Sequence, residues 1–359
     1  MTPVAKRNIN HYFGSFIIQS RKRRARGAMG KLPRVKLAHL PTPLDDCPRS
    51  AQELNINKLY IKREDCTGLA FGGNKVRQHE YVLGKAISVG STCIIQGAAS
   101  QSNHSRQIAA AGAKLGLRVL LTPKMDKNIE NIQGNYLIDH LLGCEILPIP
   151  SNASSTDEKN KLAQRVISQG EKPYISGMGA TDSLILGAVA CVEIIFEIAD
   201  ALGNQNPPQW IFSASQGSTQ AGLLLGCEIL GWKTKIVGIN PLNSSHEAHL
   251  THEQIFELIE SAAKLIGYSK QIDSNKVINN IDYVGDEYGV PTPGSIGAIK
   301  FLASKEGILL DPIYSGKAFA GLLDFIAQGS IDKKDSVVFV HTGGLPALFT
   351  HNQILSKAI

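Results

Sequence analysis

The sequence predicts an α/β protein built on largely parallel sheets, and three observations lead there. From about residue 57, short β-rich runs alternate with amphipathic stretches of helical length. Several of those runs end in turns of glycine, serine and asparagine that open into the next helix. The chain has 359 residues, 43% of them hydrophobic and 19% charged, enough for two moderate domains with cores of their own. Strands separated by helices return over the sheet by right-handed crossovers, which favours parallel pairing with helices on both faces.

Residues 1–36 stand apart. They hold Lys6, Arg7, Arg21, Lys22, Arg23, Arg24, Arg26, Lys31, Arg34 and Lys36, and the first acidic residue is Asp45. Without them the formal charge of +6 becomes slightly negative, so the basicity does not mark a nucleic-acid-binding domain. The reading is a basic flexible extension, with an organelle transit peptide or a polyanion-binding arm as alternatives; its apolar stretch 16–18 is too short for a secretory signal. No apolar run nears the roughly 18 residues of a membrane span. The six cysteines lie far apart, with no CxxC pair, and read as free thiols of a reducing, cytoplasmic compartment.

Beyond the extension, Lys58–Lys62 reads as a strand, 74–89 as a helix, 92–96 as a strand and 102–115 as a helix. Strand 118–122, helix 131–142, strand 145–149 and helix 158–169 continue the alternation. A long helix over 183–202 precedes strand 210–212, helix 218–231 and strand 235–239; strand 337–340 then leads to a helix from about Leu345.

Five stretches carry candidate chemistry. In Gly68–Arg77 (GLAFGGNKVR), paired glycines let the backbone approach a ligand, and Asn74 as N-cap places Lys75 on the first turn of a helix. There the dipole lowers the amine pKa, which suits a Schiff-base nucleophile; a glycine turn with a solvated lysine is the bland alternative. Ser213–Gly222 (SASQGSTQAG) joins a strand to a helix start and so forms an anion site, or else a helix simply capped by Ser215 or Ser218. The other three are 97–107 (GAASQSNHSRQ), 311–317 (DPIYSGK) and 339–344 (FVHTGG), the first and last at strand ends where open α/β sheets bind ligands. His246, His249 and His252 lack the one-face spacing of a metal site and read as a solvated helix start, so no metal is assigned. His104 reads as structural or as support behind the site, and His341 equally as a core or a pocket residue.

Taken together, these stretches resemble the family of D-cysteine desulfhydrases and 1-aminocyclopropane-1-carboxylate (ACC) deaminases, within the tryptophan-synthase-β-like (fold type II) pyridoxal-phosphate enzymes. The motifs LAFGGNK, QSNH, GSTQAG, EYGVP, EGILLDPIYSGK and HTGG follow in family order from about Leu40 to about Phe349. The resemblance implies two three-layer α/β/α domains, a large discontinuous one (37–77 and 183–359) and a small one (78–182). It implies a homodimer, pyridoxal 5'-phosphate as cofactor and a small amino acid as substrate, with no nucleic-acid or membrane partner.

It also implies roles. Lys75 would carry the cofactor and move the α-proton, with Asn74 beside it. Gln216, Gly217, Ser218 and Thr219 would hold the phosphate. Ser102 would receive the substrate carboxylate, with Asn103 and His104 near the substrate, and Tyr288 and Tyr314 match the family's two active-site tyrosines. Gln78 replaces a frequent lysine near the phosphate, and Ala188 replaces a frequent aromatic residue, which implies an enlarged or shifted pocket wall.

Ser315 and Thr342 stand where ring-opening relatives carry Glu and Leu. Neutral hydroxyls beside the pyridine nitrogen suit elimination of a good leaving group better than opening of a cyclopropane. The expected function is therefore D-cysteine desulfhydrase, forming pyruvate, ammonia and hydrogen sulfide. ACC deaminase, a cofactor-binding pseudoenzyme with a regulatory role and a β-replacing synthase are the alternatives.

Overall fold

A computed structural model describes residues 3–125, 132–177 and 179–357, with side chains from residue 16 onward. Its strands form two sheets. The larger is ordered β1-β2-β10-β7-β8-β9, from β1 (Leu44–Asp46), β2 (Lys58–Lys62), β7 (Trp210–Ala214), β8 (Lys235–Ile239), β9 (Ile278–Asn280) and β10 (Ser336–Val340). The smaller is ordered β5-β4-β3-β6, from β3 (Cys93–Gln96), β4 (Arg118–Leu121), β5 (Glu145–Ile146) and β6 (Pro173–Ser176). The pairings are parallel except β1 on β2.

Thirteen α-helices accompany the sheets in the described residues: α1 (Pro3–Met29), α2 (Pro48–Glu53), α3 (Asn74–Ser88), α4 (Asn103–Leu115), α5 (Gly134–Leu141), α6 (Ser155–Ser168), α7 (Thr181–Leu202), α8 (Ser218–Leu230), α9 (His252–Leu265), α10 (Pro293–Glu306), α11 (Ser315–Ala327), α12 (Pro346–Thr350) and α13 (Asn352–Ser356). The helix expected from 131 begins at Gly134, and residue 131 lies outside the described residues. The expected strand 145–149 keeps two residues in the ladder, with Ile149 bridging Lys124 beyond it. None of the helices is long and apolar enough to cross a membrane.

Both sheets are covered on both faces, which is why their central strands are apolar throughout rather than alternating. On β10, Val338 and Val340 join a core with α7, α8 and α9, while Val337 and Phe339 join a second core with α10 and α11. On β3, Ile94 packs toward α3 and α4, and Cys93 and Ile95 pack toward α6. Helix α3 serves both halves: Tyr81 and Val82 lie in the large-sheet core, Val76 and Leu83 in the small-sheet core. Leu37 and Ala38, expected in the large domain, also belong to the small-sheet core.

The expectation of a flexible leader over 1–36 needs correction. Its described part is largely helix α1, and Ala25 and Met29 are buried in the main core. Two of its basic residues face acids on α7: Lys22 pairs with Asp200, and Arg26 with Glu193 and Asp200. Arg21 donates to the Leu230 carbonyl at the end of α8 (2.8 Å). These three hold the helix to the body, and Lys22 is fully buried, so a composition read as solvated becomes, from residue 21 onward, a docked helix. Residues 1 and 2 lie outside the described residues.

Ala188, expected to alter the pocket wall, is instead fully buried in the main core. Its carbonyl would lie 2.2 Å from a Cβ at Gly222, so α7 and α8 touch backbone to backbone there, and a small residue suits that crossing. Residue 178, in the stretch 177–190 that carried this expectation, lies outside the described residues.

Candidate active site

The turn before Lys75 is strained. Ala70 (φ 43°) and Phe71 (φ 65°) occupy the left-handed region, and Gly73 has φ 124°. A Cβ on Gly73 would come within 2.3 Å of Gln107 Nε2 and 3.1 Å of the Thr342 carbonyl oxygen, so the position admits no side chain. Arg106, fully buried on α4, holds this turn by donating to the carbonyls of Ala70 and Gly72 (3.2 Å for the latter) and to Asn103 Oδ1 (3.2 Å).

Gly73, not Asn74, occupies the N-cap of α3. The Asn74 side chain instead crosses to α8 and donates to Thr219 Oγ1 at 2.8 Å. Lys75 does lie on the first turn, partly exposed and enclosed by protein, and burial lowers its pKa. Among the described residues its amine makes no hydrogen bond or ion pair. A buried, unpaired amine is a group left available for a ligand.

The second component is the turn from β7 into α8. Gly217 has φ 127°, and a Cβ there would lie 2.6 Å from Leu250 Cδ1. Ser215 Oγ accepts from the amides of Gly217 (3.1 Å) and Gln220 (3.0 Å). Ser218 and Thr219 open the helix, so their amides have no carbonyl ahead of them within it. The Ser218 hydroxyl donates to the Leu184 carbonyl (3.0 Å), which leaves its amide as the group for an anion. Thr219 Oγ1 accepts from Asn74 (2.8 Å) and from Gln78 Nε2 (3.4 Å), so its own proton is free to point outward. Gln78 thus supports the cradle as a neutral donor where a lysine was the expected partner. These amides and one hydroxyl at a helix start, beside a free amine, suit a phosphate-bearing aldehyde.

Around Lys75 the remaining stretches converge. Asn74 N donates to the Thr342 carbonyl (3.1 Å), and Ser315 Oγ lies 3.4 Å from the Gly343 carbonyl, so the 341–344 turn touches both the Lys75 turn and α11. Asp311, which sequence reasoning left without a role, organises α11. Its carboxylate accepts from the amides of Ile313 (2.9 Å), Tyr314 (2.8 Å) and Ser315 (2.7 Å) and from Ser315 Oγ (2.6 Å). The Tyr288 and Tyr314 hydroxyls hydrogen-bond to each other. Burial, then the neighbouring Tyr288, raises the Tyr314 pKa well above its ordinary value.

Ser102 caps α4 by accepting from the Ser105 amide (3.2 Å), and Asn103 Oδ1 accepts from Asn135 Nδ2 (2.9 Å). His104 meets His79 edge to face, with ring centroids 4.5 Å apart. Burial leaves both imidazoles neutral, pulling His79 down to about 3 and His104 well below its ordinary value. His341 resolves as a core residue: it is fully buried, with Nε2 2.8 Å from the Leu309 carbonyl and Nδ1 accepting from Gly343. His246 and His249 fall in the loop before α9 rather than on its start, and the described residues hold no cluster of three metal-ligand types.

Comparison with known proteins agrees with this chemistry. Residues 35–343 match the family model described as pyridoxal-phosphate dependent enzyme. The chain belongs to that family. The enzyme is also similar to a solved structure titled "Crystal Structure Analysis of the ACC deaminase homologue", at 32% identity and a TM-score of 0.83, covering 94% of this chain and 99% of the other. It is therefore a pyridoxal-phosphate dependent enzyme with the fold of the ACC deaminase and D-cysteine desulfhydrase group.

Thr219→Val in this pyridoxal-phosphate dependent enzyme keeps the side-chain shape but strands the Asn74 amide and removes the outward hydroxyl. Loss of about one buried hydrogen bond should raise the cofactor dissociation constant roughly tenfold. Equilibrium titration followed by absorbance measures it.

Proposed function

We propose that this enzyme performs α,β-elimination on a small D-amino acid, acting as a D-cysteine desulfhydrase that forms pyruvate, ammonia and hydrogen sulfide. The observation that supports this reading most is the state of Ser315. It is fully buried, its hydroxyl sits 2.6 Å from Asp311 Oδ1, and that carboxylate already accepts from three amides as well. The position thus offers a neutral hydroxyl where ring-opening relatives carry a glutamate.

Between the Lys75 turn and the start of α8, bound pyridoxal phosphate would supply an electron sink for the α-carbon of an amino acid. The amides of Gln216, Ser218 and Thr219 and the Thr219 hydroxyl would hold the phosphate, with Gly217 shaping the turn through its donation to Ser215. Ser102 and Asn103, at the start of α4, receive the substrate carboxylate. Lys75, whose amine burial keeps closer to neutrality, takes the proton from Cα. The Tyr288–Tyr314 pair faces Cβ; Tyr314 retains its proton at physiological pH and so serves as the donor to departing sulfur.

Assays of sulfide, pyruvate and ammonia across D-cysteine, L-cysteine, β-chloro-D-alanine and aminocyclopropane carboxylate test this. D-cysteine should release sulfide and pyruvate faster than L-cysteine. Ammonia from the cyclopropane substrate without sulfide from D-cysteine would establish the deaminase instead, and a bound cofactor with no turnover would establish a pseudoenzyme. The double change Ser315→Glu/Thr342→Leu should shift the ratio of activities toward ring opening; an unchanged ratio would count against the argument from residue 315.

A further inference from the structure

The loop between β8 and α9 carries His246, Glu247 and His249, and each reaches a different part of the molecule. The His246 ring stands edge-on to Tyr288, with centroids 5.4 Å apart, and its Nδ1 accepts from the Ala248 amide at 3.1 Å. His249 Nδ1 lies 3.5 Å from Nδ2 of the buried Asn240 at the end of β8. Leu250 lies against Gly217 in the anion cradle.

Glu247 turns to the small-sheet half, where the buried Lys159 of α6 also feels its charge. Its Oε1 lies 2.7 Å from Lys124 Nζ, just past β4, and its Oε2 accepts from the Ser155 amide (3.3 Å), the first residue of α6. One short segment therefore ties the small sheet to a candidate active-site tyrosine and to the cradle.

We infer that Glu247 is a positioning residue, a clasp that joins the large-sheet loop to the small-sheet half and so holds His246 against Tyr288. The inference rests on the proposal that Tyr288 faces the substrate. Both partners of the ion pair are partly exposed, at 25% for Lys124 and 39% for Glu247, so the clasp is weak enough to release within a catalytic cycle. A contact of this kind acts on how the halves close, and its loss should appear in KM more than in kcat.

The test uses the full-length holoenzyme with Glu247→Gln, Lys124→Met and the double variant. Each single variant should raise KM for D-cysteine by up to about fivefold, the range of a partly exposed ion pair, with little change in kcat. The double variant should be no worse than either single one, and the salt dependence of the wild-type KM should be lost in all three.

A second readout needs no turnover. Hydrogen exchange at the Ser155 amide should be faster in cofactor-free Glu247→Gln than in the wild type. Unchanged exchange, or additive effects in the double variant, would overturn the clasp. So would faster exchange with an unaltered KM, since the contact would then be structural only. Should wild-type protein not turn over D-cysteine, the elimination reading has failed, and exchange together with thermal-stability coupling in the double variant decides the clasp alone.

Discussion

Lys75→Ala should abolish the visible absorbance of the lysine-linked cofactor and slow elimination by at least about 10⁴-fold, the upper range for loss of a positioned acid–base group. Absorbance spectroscopy and single-turnover assays measure the two effects. The fold should not suffer, because the amine has no hydrogen-bond or ion-pair partner among the described residues to leave stranded. In the cofactor-free protein a gain is expected. A lysine whose folded pKa is lowered by burial destabilises the fold wherever the unfolded chain binds the proton more readily. That penalty is full below the folded pKa and fades as pH rises toward the unfolded value of about 10.4. Cofactor-free Lys75→Ala should therefore melt no lower than cofactor-free wild type at neutral pH, with any advantage vanishing at alkaline pH. A marked loss of stability at pH 7 would mean that the amine has a structural partner.

What the sequence made legible follows from local physics. The central strands of both sheets announced themselves because burial on two faces demands uninterrupted apolar runs, as in Val337–Val340 and Cys93–Ile95, whereas the short strands β1, β6 and β9 carry no such run and did not. The candidate site announced itself because β3, β7 and β10 each give way to small and polar residues with glycines just past their carboxyl ends. The illegible features are those in which a side chain meets a partner far along the chain. Asn74 looked like a cap because asparagine commonly is one, yet Thr219 lies 145 positions away and takes its amide. Asp311 stood inside a noted motif, but its four donors become visible only once the chain turns back on the carboxylate. The basic leader was read by composition, and composition cannot show that Glu193 and Asp200 wait on α7 for Lys22 and Arg26.

The buried network around Arg77 is the largest such feature, and it sits two residues after Lys75. Arg77 is 1% exposed and donates to both Glu64 oxygens (3.0 and 2.8 Å) and both Glu197 oxygens (2.8 and 3.1 Å). Lys62 adds a contact to Glu197 at 2.6 Å, and Thr42 Oγ1 donates to Glu64 at 2.6 Å. Burial by itself would weaken the Arg77 charge; Glu64 and then Glu197 outweigh it, and the pKa stays raised well above its ordinary value. The fork thereby pins the first turn of α3 between the end of β2 and α7, which fixes the backbone that carries Lys75.

Removing one partner from such a network leaves buried charge uncompensated, so Arg77→Met should destabilise the protein by about 3–5 kcal/mol and weaken cofactor retention with it. Denaturant midpoints measure the first effect and absorbance the second. The pH dependence carries a distinct sign. In the wild type, burial pushes the Glu197 pKa up, but Arg77 and Lys62 hold it below its ordinary value, so its contribution is present at neutral pH and is lost as pH falls through that depressed value. In Arg77→Met the Glu197 carboxylate loses its largest stabilising partner, and burial should push its pKa above the wild-type value. The variant's deficit against wild type should therefore shrink as pH falls from neutrality toward about 4, and adding Glu64→Gln should recover part of it at pH 7. A deficit independent of pH, with no recovery in the double variant, would show that Arg77 acts through packing of its stem and not through its charge.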